Sequence, residues 1–230
     1  MTATILLTRP RAASERLRQI LQTQDLRLCV SPLLEPEFAT QAPDLRAIRG
    51  VIFTARTAVE AFARLCPEAR PRGYAVGDAT ADAAQAAGLR VVSAGGDAEA
   101  LIRRILADGT KGPLLHLRGD HARGAVAQRL TAAGCPTREA VLYRQAAQPF
   151  TPEALALLDG HEPVIAPLFS PRSAAIFSRQ HRGQAPLLVA AMSAQVAESV
   201  TIPCQRLVVA EHPTLAAMLV AIGGLLDAGE

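Results

Sequence analysis

The sequence predicts an α/β protein of two doubly wound domains, each built on a parallel sheet. Two observations carry this. Phe53-Thr54-Ala55-Arg56-Thr57-Ala58 is echoed by Phe169-Ser170-Pro171-Arg172-Ser173-Ala174, 116 positions later. The same shift maps Gly77 onto Ser193, Val91-Val92 onto Leu207-Val208 and Leu106 onto Ile222. A constant offset over such a span implies two similar domains and a cleft between them, where small molecules usually bind. Second, short apolar runs alternate with segments of helical period, the rhythm of parallel α/β sheets. At 230 residues each copy has enough chain to bury its own core.

The elements follow in order. Ile5-Leu6-Leu7-Thr8 reads as a buried strand, stopped by Arg9-Pro10, and residues 11–23 place Leu17, Ile20 and Leu21 at helical spacing. Leu28-Cys29-Val30 is a strand, Val51-Ile52-Phe53 another, and Thr57–Leu65 a helix. Tyr74-Ala75-Val76 is a strand ending at Gly77, and Thr80–Ala87 is a helix closed by Gly88. Val91-Val92 is a strand, Ala98–Leu106 a helix, Leu114–Leu117 a strand, and residues 121–133 a helix closed by Gly134. The rhythm resumes with strand Val164–Phe169, helix Arg172–Ser178, strand Leu187–Ala191, helix Ala194–Val200, strand Leu207–Val209 and helix Thr214–Leu226. Two stretches break it: Ser31–Phe38, with two prolines, and the β-prone Glu139–Gln145. If both join the domains, the chain crosses twice and one domain is inserted into the other.

Composition narrows the function. A net charge of +3 excludes a global basic field for nucleic acid. No apolar run approaches the roughly 20 residues that span a membrane. The N-terminus has no basic region ahead of its apolar stretch, so it reads as a strand and a cytoplasmic protein is expected. Cys29, Cys66, Cys135 and Cys204 form no C-x-x-C pair and read as reduced thiols at helix ends and strand starts. The histidines are too scattered for zinc, so no metal is expected. There is no G-x-G-x-x-G, no P-loop and no G-x-S-x-G elbow, which argues against a nucleotide cofactor and against covalent catalysis.

Ligands of open α/β sheets bind beyond the carboxyl ends of the strands. The loops there are Thr8-Arg9-Pro10, Thr54-Ala55-Arg56, Gly77-Asp78-Ala79-Thr80, Arg118-Gly119-Asp120, Ser170-Pro171-Arg172-Ser173 and Ser193-Ala194. Each offers free backbone N–H groups, a small hydroxyl or an arginine, and helix N-termini favour anions. Taken singly, each hydroxyl reads as an N-cap and each arginine as solvated; together they suit a ligand with many acidic groups. Tyr143, beside Arg144 in the second crossing, reads either as packing or as a phenolic proton donor.

These motifs resemble the uroporphyrinogen-III synthase family over nearly the whole chain. The resemblance rests on Leu-Thr-Arg-Pro (7–10), Val-Ile-Phe-Thr (51–54) with Ala-Val-Glu-Ala (58–61), Val-Gly-Asp-Ala-Thr-Ala (76–81) and Leu-Arg-Gly-Asp (117–120). Val-Leu-Tyr (141–143), Phe-Ser-Pro-Arg-Ser-Ala (169–174) and Val-Ala-Glu-His-Pro-Thr (209–214) complete it. It implies two flavodoxin-like domains, residues 1–34 plus 147–230 and residues 39–142, joined by a hinge of two antiparallel strands, 35–38 and 143–146. It implies a cofactor-free, generally monomeric carbon–oxygen lyase of haem and tetrapyrrole biosynthesis. Such an enzyme closes the linear tetrapyrrole hydroxymethylbilane, through azafulvene and spiro intermediates, with inversion of the last ring. A transient hand-over of substrate from hydroxymethylbilane synthase goes with that role.

By the resemblance, Tyr143 matches the family tyrosine that assists departure of the hydroxyl, and Thr80 a family threonine assigned here to carboxylate binding. Arg9, Thr54, Arg56, Gly77, Arg118, Gly119, Ser170, Arg172, Ser173, Ser193 and Ala194 complete the expected substrate contacts. The chain departs from the family at Ser193-Ala194-Gln195-Val196-Ala197, where many members read Gly-Pro-Thr-Thr-Ala, and at Ala55-Arg56-Thr57, where a serine–asparagine pattern is common. The alternative function is a non-catalytic two-domain module that binds an anionic ligand.

Overall fold

The computed structural model describes residues 3–22, 26–121 and 124–227. The chain divides into two compact units, Met1–Glu35 with Ala146–Glu230, and Pro36–Gln145. It passes from one to the other within β3 (Leu34–Phe38) and returns within β8 (Thr137–Ala147). Ala39 N–H donates to the Leu142 carbonyl at 2.8 Å and Gln148 N–H to that of Leu33 at 3.0 Å. Partner numbers fall as the others rise, so these two segments run antiparallel.

The first unit contains β1 (Thr4–Leu7), α1 (Arg11–Leu21) and β2 (Arg27–Val30). After the return come α6 (Pro152–Leu158), β9 (Val164–Leu168), α7 (Pro171–Gln180), β10 (Leu187–Ala191), α8 (Ala194–Glu198), β11 (Arg206–Val209) and α9 (Leu215–Leu226). Its sheet runs β11-β10-β9-β1-β2, all parallel. Alternation along β1 sends Leu6 to a core with Phe177 and Val189, and Ile5 and Leu7 to a second core with Leu17, Met218 and Ile222. Helices therefore cover both faces. Phe177 is fully buried, edge-on to Phe150 at 5.3 Å. Truncating such a side chain costs about 3–5 kcal/mol.

The second unit contains β4 (Gly50–Phe53), α2 (Arg56–Leu65), β5 (Arg72–Ala75), α3 (Asp78–Ala86), β6 (Arg90–Ser93), α4 (Ala98–Ala107), β7 (Leu114–Gly119), α5 (Val126–Ala132) and β8. Its sheet runs β3-β8-β7-β4-β5-β6, parallel from β8 to β6. Val51, Phe53 and Leu117 pack on one face with Phe62, and Ile52 and Leu114 on the other with Leu101 and Leu130. The offset of 116 pairs β4 with β9, β5 with β10 and β6 with β11. The two sheets then share one spatial order, but the second unit starts its chain at the strand that comes third in the first unit. The repeat is a circular permutation.

The elements lie within two residues of where periodicity puts them, with two exceptions. The helix expected over 121–133 is replaced by α5, because Gly124 (φ 87°) and Ala125 (φ 46°) are left-handed and cannot continue a right-handed helix. Residues 122 and 123, and Thr23 of the first expected helix, lie outside the described residues. Helix α6 was not expected from the sequence; Thr151 caps it by accepting from Ala154 N–H at 3.2 Å. The four cysteines are free, but Cys29 lies inside β2 rather than at its start. Burial first, then Glu153, pushes its thiol up to about 11, which leaves it a poor nucleophile. Among the described residues no helix is long and apolar enough to cross a membrane.

Candidate functional site

In each unit the expected site residues sit at the carboxyl edge of the sheet. Along the second unit the strand order β8-β7-β4-β5 sets Tyr143, Gly119, Thr54 and the Gly77 loop in one row. Tyr143 is the register partner of Gly119, across an irregularity between Arg118 and Gly119. A Cβ on Gly119 would lie 2.7 Å from Cζ of Tyr143 and 3.0 Å from its hydroxyl, so only glycine lets the ring lie there. Tyr143 is 9% exposed, and burial first, then Asp120, raises its pKa. The phenol is therefore protonated at neutral pH and available as a donor. It lines a cavity of ≈ 250 Å³ with Glu37, Phe38 and Arg144.

Both terminal nitrogens of Arg118 are committed within the protein, while its buried Nε has no hydrogen-bond partner among the described residues. Its Nη1 donates to the carbonyls of Gly119 (2.8 Å) and Asp120 (3.0 Å), and its Nη2 to Glu139 at 3.0 Å. Asp120 N–H donates in turn to the Tyr143 carbonyl at 3.0 Å. The guanidinium thus braces the loop beside Tyr143, where the sequence suggested a substrate contact.

Thr54, after β4, has its hydroxyl 3.0 Å from Nε2 of His116. His116 is 1% exposed, and its Nδ1 faces Glu139 at 3.5 Å. Burial, and then Arg118, outweigh Glu139 and lower its pKa, so the ring is neutral at pH 7. With a carboxylate facing Nδ1, the proton belongs there. Nε2 then accepts from the Thr54 hydroxyl. His116 and Glu139 were not singled out as functional from the sequence. The available signal was a histidine and an arginine at alternate positions of an otherwise apolar strand, 116 and 118.

Helices α2 and α3 have Ala55 and Gly77 at their N-caps and no side-chain cap, which leaves their first N–H groups without a capping acceptor. Arg56, exposed in the first turn of α2, opposes the helix dipole and so costs the helix some stability. Asp78 in the first turn of α3 accepts from the Ser93 hydroxyl at 2.6 Å, and Thr80 is buried on the same turn.

The first unit presents Arg9, Ser170 and Ser193 along β1, β9 and β10. Arg9 stacks over Phe169 at 4.2 Å, and burial, then Arg16, lowers its pKa. Among the described residues it meets no carboxylate. Ser170 caps α7, accepting from Ser173 N–H at 3.1 Å, and the two hydroxyls share a hydrogen bond of 2.7 Å. The capping role holds for this pair. Arg172 is exposed in the first turn of α7. Ser193 and Ala194 open α8 without a side-chain cap. Among the described residues no group of three or more His, Cys, Asp or Glu is arranged to hold a metal ion.

A family model described as uroporphyrinogen-III synthase HemD matches residues 15–220. Among solved structures, the chain is similar to a uroporphyrinogen-III synthetase from Helicobacter pylori, with TM-score 0.71 and 18% identity over 98% of this chain and 100% of that one. It is also similar to a mutant uroporphyrinogen III synthase from Thermus thermophilus, with TM-score 0.52 and 13% identity over 99% and 100%. At these identities the likeness concerns the fold. No match was found among curated proteins.

Proposed function

The chain belongs to the uroporphyrinogen-III synthase family, and on that footing we propose that it cyclises hydroxymethylbilane to uroporphyrinogen III. The carbon–oxygen bond of the terminal hydroxymethyl group breaks and water leaves, giving an azafulvene cation. The cation is attacked by the substituted carbon of the far pyrrole. The spiro intermediate fragments and recloses with the last ring inverted, and the newly bonded pyrrole carbon then loses its proton, which restores the aromatic ring, neutralises the cation and balances the proton given to the leaving hydroxyl. The pyrroles supply the electron pairs, so the protein has only to orient the chain and move one proton. Orientation of this kind contributes roughly 7–11 kcal/mol.

The single observation that carries the residue-level reading is the protonated, buried phenol of Tyr143 over Gly119. It donates to the departing hydroxyl, which a hydroxide leaving group needs and water does not provide in a shielded site. The substrate's acidic side chains are taken by the uncapped N-termini of α2, α3 and α8, by Thr80, and by Arg9, Arg56 and Arg172. Thr54, with its hydrogen turned to His116, accepts from a pyrrole N–H and does not donate to a carboxylate. The enzyme acts in the cytoplasm as a carbon–oxygen hydro-lyase, as a monomer, receiving its unstable substrate from hydroxymethylbilane synthase.

The test is the isomer ratio. Incubation of the protein with hydroxymethylbilane yields isomer III in excess of isomer I. Formation of isomer I alone by the folded protein would refute the proposal.

A further inference from the structure

The strands that end at Tyr143's edge begin at another cavity. It measures ≈ 630 Å³, within the range of small-molecule sites, and lies at the amino ends of β4, β5, β6 and β7. Three arginines line it, Arg49, Arg72 and Arg90, all exposed. Arg72 and Arg90 are direct register partners on neighbouring parallel strands. Like charges set side by side on a sheet are destabilising.

Their surroundings do not compensate. Among the described residues none of these three guanidinium groups meets a carboxylate. Elsewhere in the same unit Arg46 pairs with Asp44 at 2.9 Å, Arg64 with Glu60 at 2.7 Å, Arg129 with Glu99 at 2.7 Å and Arg144 with Glu37 at 2.6 Å, while Arg56, at the start of α2, meets no carboxylate among the described residues either. The acid near the cavity, Asp108, is spent on Arg104 at 3.0 Å and on the Tyr74 hydroxyl at 3.1 Å. What sets Arg49, Arg72 and Arg90 apart is that they converge on one cavity.

The remaining wall is apolar or small. Leu89, Val91 and Leu114 are buried beneath it, and Val92 is 40% exposed at its side. Gly73 leaves the floor bare, since a Cβ there would meet the Val51 carbonyl oxygen at 2.1 Å. Tyr74 and Thr110 share a hydrogen bond of 2.8 Å at the polar margin.

We propose that this cavity is a second ligand site, which takes a small organic anion with an apolar body and two or more acidic groups. The arginine forks grip the acids in bidentate fashion, and the body covers the valine and leucine floor. The site is independent of the synthase reading, because it faces the opposite end of the sheet and its test reads binding, not turnover.

Naphthalene-1,5-disulfonate is the probe, with 1,5-dihydroxynaphthalene as its neutral counterpart and inorganic phosphate as an anion without a body. Calorimetry and amide chemical shifts follow each titration of the full chain. The disulfonate binds one to one, at least tenfold more tightly than either control, and shifts the amides of Gly50, Gly73, Val92 and Thr110. Arg72→Gln combined with Arg90→Gln weakens it at least tenfold. Arg49→Gln alone weakens it too, and serves if the double variant does not fold. No saturable shift at those amides, equal binding by either control, or unchanged binding in the folded variants would each overturn the proposal.

Discussion

The two units share one strand order yet equip their carboxyl edges differently. In the first, the hydroxyl that follows the β9 motif, Ser170, closes its own helix by capping α7. In the second, the matching hydroxyl, Thr54, leaves α2 uncapped and turns to a buried histidine. Gly77 opens the nine-residue α3, whereas its counterpart Ser193 opens an α8 of only five residues. Tyr143 and the braced loop beside it belong to the second unit alone. The same strand order occurs in both units, and the local polar pairings decide which helix starts are capped by a side chain, as at α7, and which are not, as at α2, α3 and α8.

Substitutions can break this contrast, and the largest effect is expected at Gly119. Gly119→Ala pushes a methyl into the Tyr143 ring, and a displacement near 1 Å costs on the order of 100-fold in turnover. A turnover rate equal to that of the parent chain would mean that ring position is irrelevant. Tyr143→Phe keeps the ring and removes the donor, so steady-state turnover should fall by at least about tenfold. An unchanged rate would take the phenol out of the reaction.

Smaller effects sharpen the comparison from the other side. Ser170→Ala removes a true cap and should lower the unfolding free energy by about 1 kcal/mol in a urea titration. Gly77→Ser should change stability by less than about 0.5 kcal/mol, since its φ of −158° is ordinary extended backbone and its Cβ would meet only Gly96 at 3.6 Å. If Gly77→Ser nevertheless raises KM, the bare helix start is used by substrate; an unchanged KM would count against that use.

The sequence made the α/β plan legible because its strongest signals are local. Apolar triplets such as Val51-Ile52-Phe53 mark strands, and glycines such as Gly88 and Gly134, both with positive φ, mark helix ends. The repeat was legible because its motif lies at a strand-to-helix turn, where the backbone constrains the residues. The polar pairings were not legible. Thr54 and His116 are 62 residues apart, and Glu139 meets them only through the register of β7 with β8. Nothing in the triplet Leu117-Arg118-Gly119 tells a ligand-binding arginine from one bonded to the next two carbonyls. Ser170 and Thr54 likewise look alike in one dimension, because a cap depends on side-chain direction and not on spacing.

The inserted arrangement of the units also orders events in time. Strand β1 lies inside its sheet, between β2 and β9, but β9 is encoded 157 positions after Leu7. At about 5–20 residues per second, a ribosome needs roughly 8–30 s to deliver it. Throughout that interval Ile5, Leu6 and Leu7 have only β2 to pair with, while all five parallel strands of the second unit emerge as one uninterrupted stretch. The copy that carries Tyr143 is thus the one whose birth does not wait on the other.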